Sequence, residues 1–414
     1  MYKLLALVLV TWVSAQKASF NNYKVFGVLP RTELQLEILR QIDNHNGFSL
    51  WNDPSMVNAT IDVMVSPDKL VEFYELMDVI GTPYTKFIDD VQDLIDNEMS
   101  KEQTYAKSGF KLNTYNTLAD TYAYLDSLAQ DHPDKVEVVV AGKSYEGRQI
   151  KGVKITFGSN KPGIVIEGGI HAREWISPAT VLYLIDRFLN SDNKEVRAFA
   201  ESHNWYIFPV TNPDGYVYTH TKNRLWRKTR KPYSALCYGS DPNRNWGYRW
   251  NTGGASSNPC AETYAGSGPF SDIETKSLSE YIQSISDQFF AYVSFHSYSQ
   301  LLLFPYGHTT AHLENYDDLL AVGKKSISAL AKRYGTAYRT GNVAETIYIA
   351  TGSSVDWVKG TLRKQISYTY ELRDRGRYGF ILPASQIIPT GEETLDSLIA
   401  LFNEAAARGY PQRL

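Results

Sequence analysis

His171-Ala-Arg-Glu174 follows, after Ile170, the apolar run Ile164–Ile166 and the Glu167-Gly-Gly turn. At a strand-to-helix junction, a spacing of three residues can turn an imidazole and a carboxylate toward one point, as a pair of zinc ligands would require. Taken alone, the pair reads better as a satisfied histidine beside a helix-start glutamate. A second histidine, His296, ends the apolar stretch Phe289–Phe295. Added to the pair it would give His, Glu, His and one open position, the mark of catalytic rather than structural zinc. By itself His296 fits a partly buried structural role equally well. Glu371 ends a third apolar stretch, Gln365–Tyr370. A carboxylate there could take a proton from water at such a metal, or could simply pair with Arg373 or Arg375.

Cations that could stabilise an oxyanion or grip a carboxylate occur in Asn223-Arg-Leu-Trp-Arg227 and in Asp241-Pro-Asn-Arg-Asn-Trp246. The guanidinium fork suits a planar carboxylate because it makes two parallel hydrogen bonds. Lys228, Arg230 and Lys231 read as a solvated basic face.

The elements that must hold these groups fall into two units. In the first, strands are expected at Tyr23–Leu29, Gly47–Trp51, Ala59–Val65 and Tyr84–Ile88. Helices are expected over Pro30–Ile42, over Pro67–Val79 with Gly81 as its stop, and from Asp89 onward. The order βαββαβα suits a small ferredoxin-like α/β domain. From about Asp96 to Lys111 the chain turns polar, with Lys101, Lys107 and Lys111 around Gly109, and reads as an accessible linker. Beyond it, strands at Val136–Ala141, Gly152–Phe157, Ile164–Ile166 and Trp205–Val210 alternate with longer helical patterns such as Glu174–Asn190. This predicts a mixed, largely parallel sheet sandwiched by helices, in an α/β fold whose sites gather at the carboxyl ends of strands.

The chain has 414 residues, with 42 Lys and Arg against 45 Asp and Glu, a formal charge of −3. That balance excludes a strongly basic nucleic-acid binder. Hydrophobic residues at 43% and charged residues at 21% exclude a disordered or fibrous chain. Residues 17–107 carry 8 basic and 15 acidic side chains, a balance of −7, against 33 and 30, or +3, over 108–414. Two such units could attract each other. The one long apolar run, Leu4–Val13, follows Lys3, ends at Ser14 and Ala15, and is too short to span a membrane; it reads as a secretory signal peptide over 1–15. In an oxidising compartment Cys237 and Cys260 can pair with each other, and the loop so closed would contribute about 3 kcal/mol. Asn58-Ala59-Thr60 is a glycosylation sequon or an unmodified surface turn.

Six motifs in order, His171-Ala-Arg-Glu-Trp, Thr211-Asn-Pro-Asp-Gly, Asn223-Arg-Leu-Trp-Arg-Lys-Thr-Arg, Asn243-Arg-Asn-Trp, His296-Ser-Tyr-Ser-Gln and Glu371-Leu-Arg-Asp, resemble the zinc metallocarboxypeptidases of the digestive, pancreatic carboxypeptidase A type, made as proenzymes. The resemblance runs from about Thr114 to Ala400. It implies a Zn2+ ion held by His171, Glu174 and His296, with Glu371 as general base and Arg227 as stabiliser of the oxyanion. It also implies a grip on the substrate's terminal carboxylate by Asn243, Arg244 and Tyr348, with Arg173 and Tyr298 as further substrate contacts. Basic-specific relatives carry Asp at the place of Val355, and an apolar residue cannot compensate a buried Lys or Arg charge. With Leu303, Gly307, Val343, Ile347, Ala350 and Thr369 at other pocket positions, aliphatic and aromatic C-terminal residues are expected. If Val355 only packs the core, that preference falls and the carboxypeptidase reading stays.

The resemblance further implies a prodomain over 16–107 that shields the cleft and a catalytic domain over 108–414. The expected partners are peptides with a free C-terminus and an activating trypsin-like protease, with neither nucleic acid nor membrane involved. The expected state is a secreted monomer of a digestive lumen. The alternative is a non-catalytic secreted peptide-binding homologue, against which the intact ligand set, Glu371 and Arg227 argue. A serine hydrolase would need a GxSxG elbow and a thermolysin-like enzyme HExxH, and the chain has neither.

Overall fold

The computed structural model describes residues 17–42, 46–52, 56–99 and 109–411. The expected signal peptide and most of the expected linker, including Lys101 and Lys107, lie outside the described residues.

The first unit runs β1 Lys24–Val28, α1 Glu33–Ile42, β2 Phe48–Leu50, β3 Ile61–Val65, α2 Leu70–Ile80, β4 Tyr84–Ile88 and α3 Val91–Asn97. Its strands form one sheet in the order β2-β3-β1-β4, antiparallel throughout, which is the ferredoxin-like arrangement that the βαββαβα pattern predicts. The first helix starts at Glu33 rather than Pro30, where the Thr32 hydroxyl accepts the Gln35 amide hydrogen. Gly81 ends α2 in the left-handed region, at φ 62°, where a side chain would be strained. Alternation in the strands divides the sheet's faces. Phe26, Val28, Val63 and Val65 pack under the helices with Leu36, Leu39, Phe73 and Met77. Val25, Met64 and Ile88, together with Trp51, turn the other way and pack on Leu225, Tyr298, Phe380 and Ile381 of the second unit.

That second unit holds β5 Val136–Lys143, β6 Gln149–Ile155, β7 Gly163–Gly168, β8 Asn204–Phe208, β9 Phe289–Ser297, β10 Leu301–Phe304, β11 Arg339–Asn342 and β12 Ile366–Leu372. They lie in the order β11-β10-β12-β9-β7-β8-β6-β5. The central four, β12, β9, β7 and β8, are parallel, while β10 against β12 and the β6 and β5 edge are antiparallel. The flanking helices are α4 Leu118–Asp131, α5 Ile176–Asn190, α6 Lys194–Ser202, α7 Pro213–Thr221, α8 Ile273–Ser284, α9 Tyr316–Tyr334, α10 Ser354–Gly360 and α11 Ile387–Ala407. Strand β7 is buried along its whole length, as a parallel strand covered on both faces must be. Ile164 and Ile166 join the core beneath α4, α5, α9 and α11, and Val165 joins the opposite core with Leu278, Ile282, Trp357 and Val358.

Cys237 and Cys260 form a disulfide, with Cα atoms 4.8 Å apart. The basic run does not form the expected solvated face. Lys228 is buried and its ammonium donates to the carbonyls of Pro259 and Ala261, at 2.9 Å each, beside the disulfide. Lys231 donates to the carbonyl of Ser271, and Arg230 stacks on Tyr218 and Trp226. Backbone carbonyls at and beyond the disulfide and aromatic faces take the place of water.

Candidate active site

The parallel strands deliver their polar ends to one edge of the sheet. After β7, Gly169 turns with φ +64° and its amide donates to the Ser177 hydroxyl, which brings His171 and Glu174 back over the strand end. His296 stands near the end of β9 and Glu371 near the end of β12, paired in register across the two strands. The three expected ligands meet. His171 Nδ1 is 2.8 Å from Glu174 Oε1, and His296 Nδ1 is 3.1 Å from both Glu174 Oε2 and His171 Nδ1. All three side chains are buried, with their ligand atoms within 4.8 Å of one another. Two ring nitrogens aimed at each other and at a carboxylate form a set that a zinc ion fits.

The second nitrogen of His171 lies 3.0 Å from Asp241 Oδ1. A carboxylate at that position fixes the tautomer and leaves Nδ1 free to ligate. Asp241 also accepts from the Arg227 guanidinium at 2.7 Å through its other oxygen and from the Asn243 amide at 2.8 Å. Arg227 Nη1 stands 3.8 Å from Glu174, so Asp241 holds the cation at the edge of the ligand set. Asn243 Oδ1 accepts the Ser354 amide hydrogen. Arg244 donates to the carbonyls of Gly254 and Asn243 and, at 3.2 Å, to the Tyr348 hydroxyl. Arg173 stacks its guanidinium on Phe380 and points one nitrogen at Glu262, 3.4 Å away.

The charges perturb one another strongly. Burial works to raise Glu174, but His171 and His296 outweigh it and hold the carboxyl well below its usual range. Burial works against the His296 cation, and Glu174 overrides it, raising His296 to about 9. Glu371 is pushed up to about 8, by burial first; Glu174 adds to the rise, and His296, Arg227 and Arg244 oppose it. A cation among the ligands changes this balance, because its charge is the largest in the site.

The cleft above these groups encloses about 630 Å³ and is lined by His171, Arg173, Glu174, Arg227, Asn243, Arg244, Tyr298, Tyr348 and Glu371. Its wall also carries Leu303, Val343, Ile347, Ala350, Val355 and Thr369, with Val355 3% exposed. Gly307, also expected there, stands behind the wall. Its carbonyl accepts the Ala350 amide hydrogen at 2.8 Å and its amide donates to Asp356. Asp356, next to Val355, is thus engaged with backbone and His308 and gives the pocket no charge. The first unit closes the mouth with Trp51, Thr60, Asp62 and Phe87. There the Tyr298 hydroxyl donates to Asp62.

Sequence reasoning missed three contributors. Asp241 sits within a quoted motif yet received no role, Glu262 stands in a loop without periodicity, and Asp62 reads as an ordinary strand residue.

A family model described as zinc carboxypeptidase matches residues 121–397, and one described as carboxypeptidase activation peptide matches residues 26–98. The chain is similar to zinc carboxypeptidase A 1 of Anopheles gambiae, 47% identical over 96% of this chain and 93% of that protein. Carboxypeptidase A1 of Bos taurus is 40% identical over 95% of this chain and 96% of that one. The crystal structure of carboxypeptidase A from Helicoverpa armigera superposes with a TM-score of 0.85 at 27% identity, covering 94% of this chain and 99% of that chain.

Proposed function

The chain belongs to the zinc carboxypeptidase family and carries that family's activation-peptide domain, and from that premise we propose that it is a secreted proenzyme releasing aliphatic or aromatic residues from peptide C-termini. We assign residues 1–15 to the signal peptide, 16–107 to the activation segment and 108–414 to the catalytic domain, with a trypsin-like protease cutting between the last two. The observation that carries the reading is the convergence of His171, Glu174 and His296 beside Glu371 at the floor of a cleft ending in an apolar pocket.

His171, Glu174 and His296 would hold the zinc ion. When bound, the ion polarises the scissile carbonyl and lowers the pKa of water beside it. Glu371 takes the proton of the attacking water and passes it to the leaving amine. Arg227, tethered by Asp241, presents its guanidinium to the oxyanion that develops on the carbonyl. Asn243 and Arg244 bind the terminal carboxylate, with Tyr348 closing over it from the Arg244 side. This grip confines cleavage to the last bond, and the apolar pocket around Val355 receives the released side chain. A cleft covered by Trp51 and Asp62 fits an inactive precursor.

The test compares hydrolysis of blocked dipeptides ending in Phe or Arg, before and after limited trypsin treatment, with and without a zinc chelator. Trypsin-dependent, chelator-sensitive cleavage of the Phe substrate is expected. Glu371→Gln should lose nearly all turnover while metal analysis still finds one zinc per chain. Failure of the zinc-loaded, trypsin-treated protein on both substrates would favour the non-catalytic peptide-binding alternative.

A further inference from the structure

We infer that Arg339 and Arg375 form a subsite on the rim of the cleft that selects peptides with an acidic side chain one to three residues before the released one. The inference rests on the carboxypeptidase reading above and adds a preference to it.

Strand register places the first of these cations. His296 pairs with Glu371, Glu371 with Leu301, and Leu301 with Arg339, so one row across the sheet runs from a metal ligand through the general base to an arginine. Paired residues share a face, and Arg339 therefore stands on the face of Glu371, two strands or about 10 Å away. Arg375 reaches the same corner from the loop after β12. Its guanidinium donates to the carbonyl of Ala337, two residues before Arg339. Gln300 joins the two, donating to the same carbonyl at 3.0 Å and accepting the Arg339 amide hydrogen at 3.2 Å. Both arginines are exposed and both line the cleft.

What distinguishes them is the lack of a carboxylate. Their neighbours Arg333 and Arg373 are paired with Asp396 and Glu393. Among the described residues no carboxylate oxygen lies within 4.0 Å of a nitrogen of Arg339 or Arg375. One guanidinium held on the Ala337 carbonyl and a second arginine set beside it by strand pairing, neither with a carboxylate of its own, suit a carboxylate supplied from outside. An extended peptide advances about 3.3 Å per residue, so an arginine about 10 Å from the general base falls within reach of side chains one to three residues upstream of the scissile bond. In the proenzyme the first unit comes close to this corner while leaving both arginines exposed. A Cβ built on Gly376, next to Arg375, would stand 3.3 Å from Asp62 Oδ2 and 3.6 Å from the Phe87 ring. The first unit thus borders the subsite without burying its two arginines.

The experiment uses the trypsin-activated protein and blocked tetrapeptides ending in Phe, with Glu or Gln at each of the three preceding positions in turn. The readout is the ratio of kcat/KM for the Glu peptide over its Gln twin, within each protein variant. At one or more positions the wild-type ratio should be about fivefold, the scale of two exposed ion pairs. It should fall toward one in 1 M NaCl and in the double variant Arg339→Gln, Arg375→Gln. Hydrolysis of the Gln peptides with ratios near one at every position would overturn the subsite and leave the carboxypeptidase reading standing. A ratio that survives the double variant would overturn it too. No hydrolysis of any peptide would overturn both.

Discussion

Glu98 is the residue whose loss should most weaken the hold of the first unit on the cleft. It lies just after α3, and its carboxylate takes the Arg224 side chain in a two-pronged pair, Nε to Oε2 at 2.7 Å and Nη2 to Oε1 at 2.5 Å. Each side chain is 2% exposed, so the pair is not screened as a surface pair would be. Arg224 is held on its other sides by the carbonyls of Arg173 and Phe380, both at 2.8 Å, and by the face of Trp175. It cannot swing out to water when its partner is removed. Breaking one side of a buried pair costs about 3–5 kcal/mol, chiefly because the remaining charge stays desolvated. Glu98→Gln keeps an acceptor oxygen and the backbone bond from Ala384, so the low end applies, about 3 kcal/mol, or roughly a hundredfold in affinity. The assay starts from protein cut between the two units, where the first unit, on the proposed reading, stays bound over the cleft without a covalent link. Recovery of peptidase activity on serial dilution gives its dissociation constant. Wild type and Glu98→Gln should differ by roughly a hundredfold. A difference below about threefold would show that the pair adds nothing to docking beyond its own desolvation cost.

Asp241→Asn should weaken zinc binding by about 10–100-fold through the loss of the His171 orientation, measured by competition with a chromogenic chelator; unchanged affinity would remove Asp241 from the metal centre. Val355→Asp should shift the ratio of activity on C-terminal Arg over Phe by at least about tenfold, since the pocket wall otherwise offers no counter-charge; an unchanged ratio would mean that Val355 does not face the released side chain. Burial pushes Asp62 up to about 6, with the Tyr298 hydrogen bond opposing and Asp374 adding. A docked pKa above the free one means that this group favours docking fully below the free value of 3.8 and loses that contribution as pH rises through about 6. The cut complex should then bind more tightly at pH 5 than at pH 7.5, and Asp62→Asn should flatten the dependence if Asp62 is its source.

The ligand set was legible because His296 stands at the end of a long apolar strand and the His171–Glu174 pair follows the turn after another, and an abrupt polar residue after a buried run stands out in any parallel sheet. The same logic reached Glu371 across some two hundred residues of chain. It failed where position carries no pattern. Strand β11 reads Arg-Thr-Gly-Asn and has no apolar run; only its pairing with β10 makes it a strand, so the row from His296 to Arg339 was out of reach. Asp241 lies in a loop, 70 residues from the imidazole it orients, and nothing local marks it as anything but a turn former. Lys228 was expected in water because a basic run is usually solvated, yet the carbonyls beside the disulfide supply what water would have.

Strand β3 carries the remaining step. Its sequence, Ile-Asp-Val-Met-Val, is buried at every position, whereas a half-exposed antiparallel strand alternates buried with open positions. Ile61, Val63 and Val65 serve the first unit's own core, but Met64 serves the interface and Asp62 the cleft. A unit that folds for itself needs only the first set. The second set, with Val25, Trp51 and Ile88, is buried between the second unit and the first unit's own Phe20 and Val91, and large apolar side chains of this kind are worth about 1.5–3 kcal/mol each when removed from water. The same residues that seat the unit on the cleft therefore leave it with a more exposed apolar face once it departs, while Asp62 and Glu98 give that seat its direction, one toward Tyr298 and the other toward Arg224. Apolar area supplies the hold, and the two carboxylates fix which way the sheet faces the metal centre.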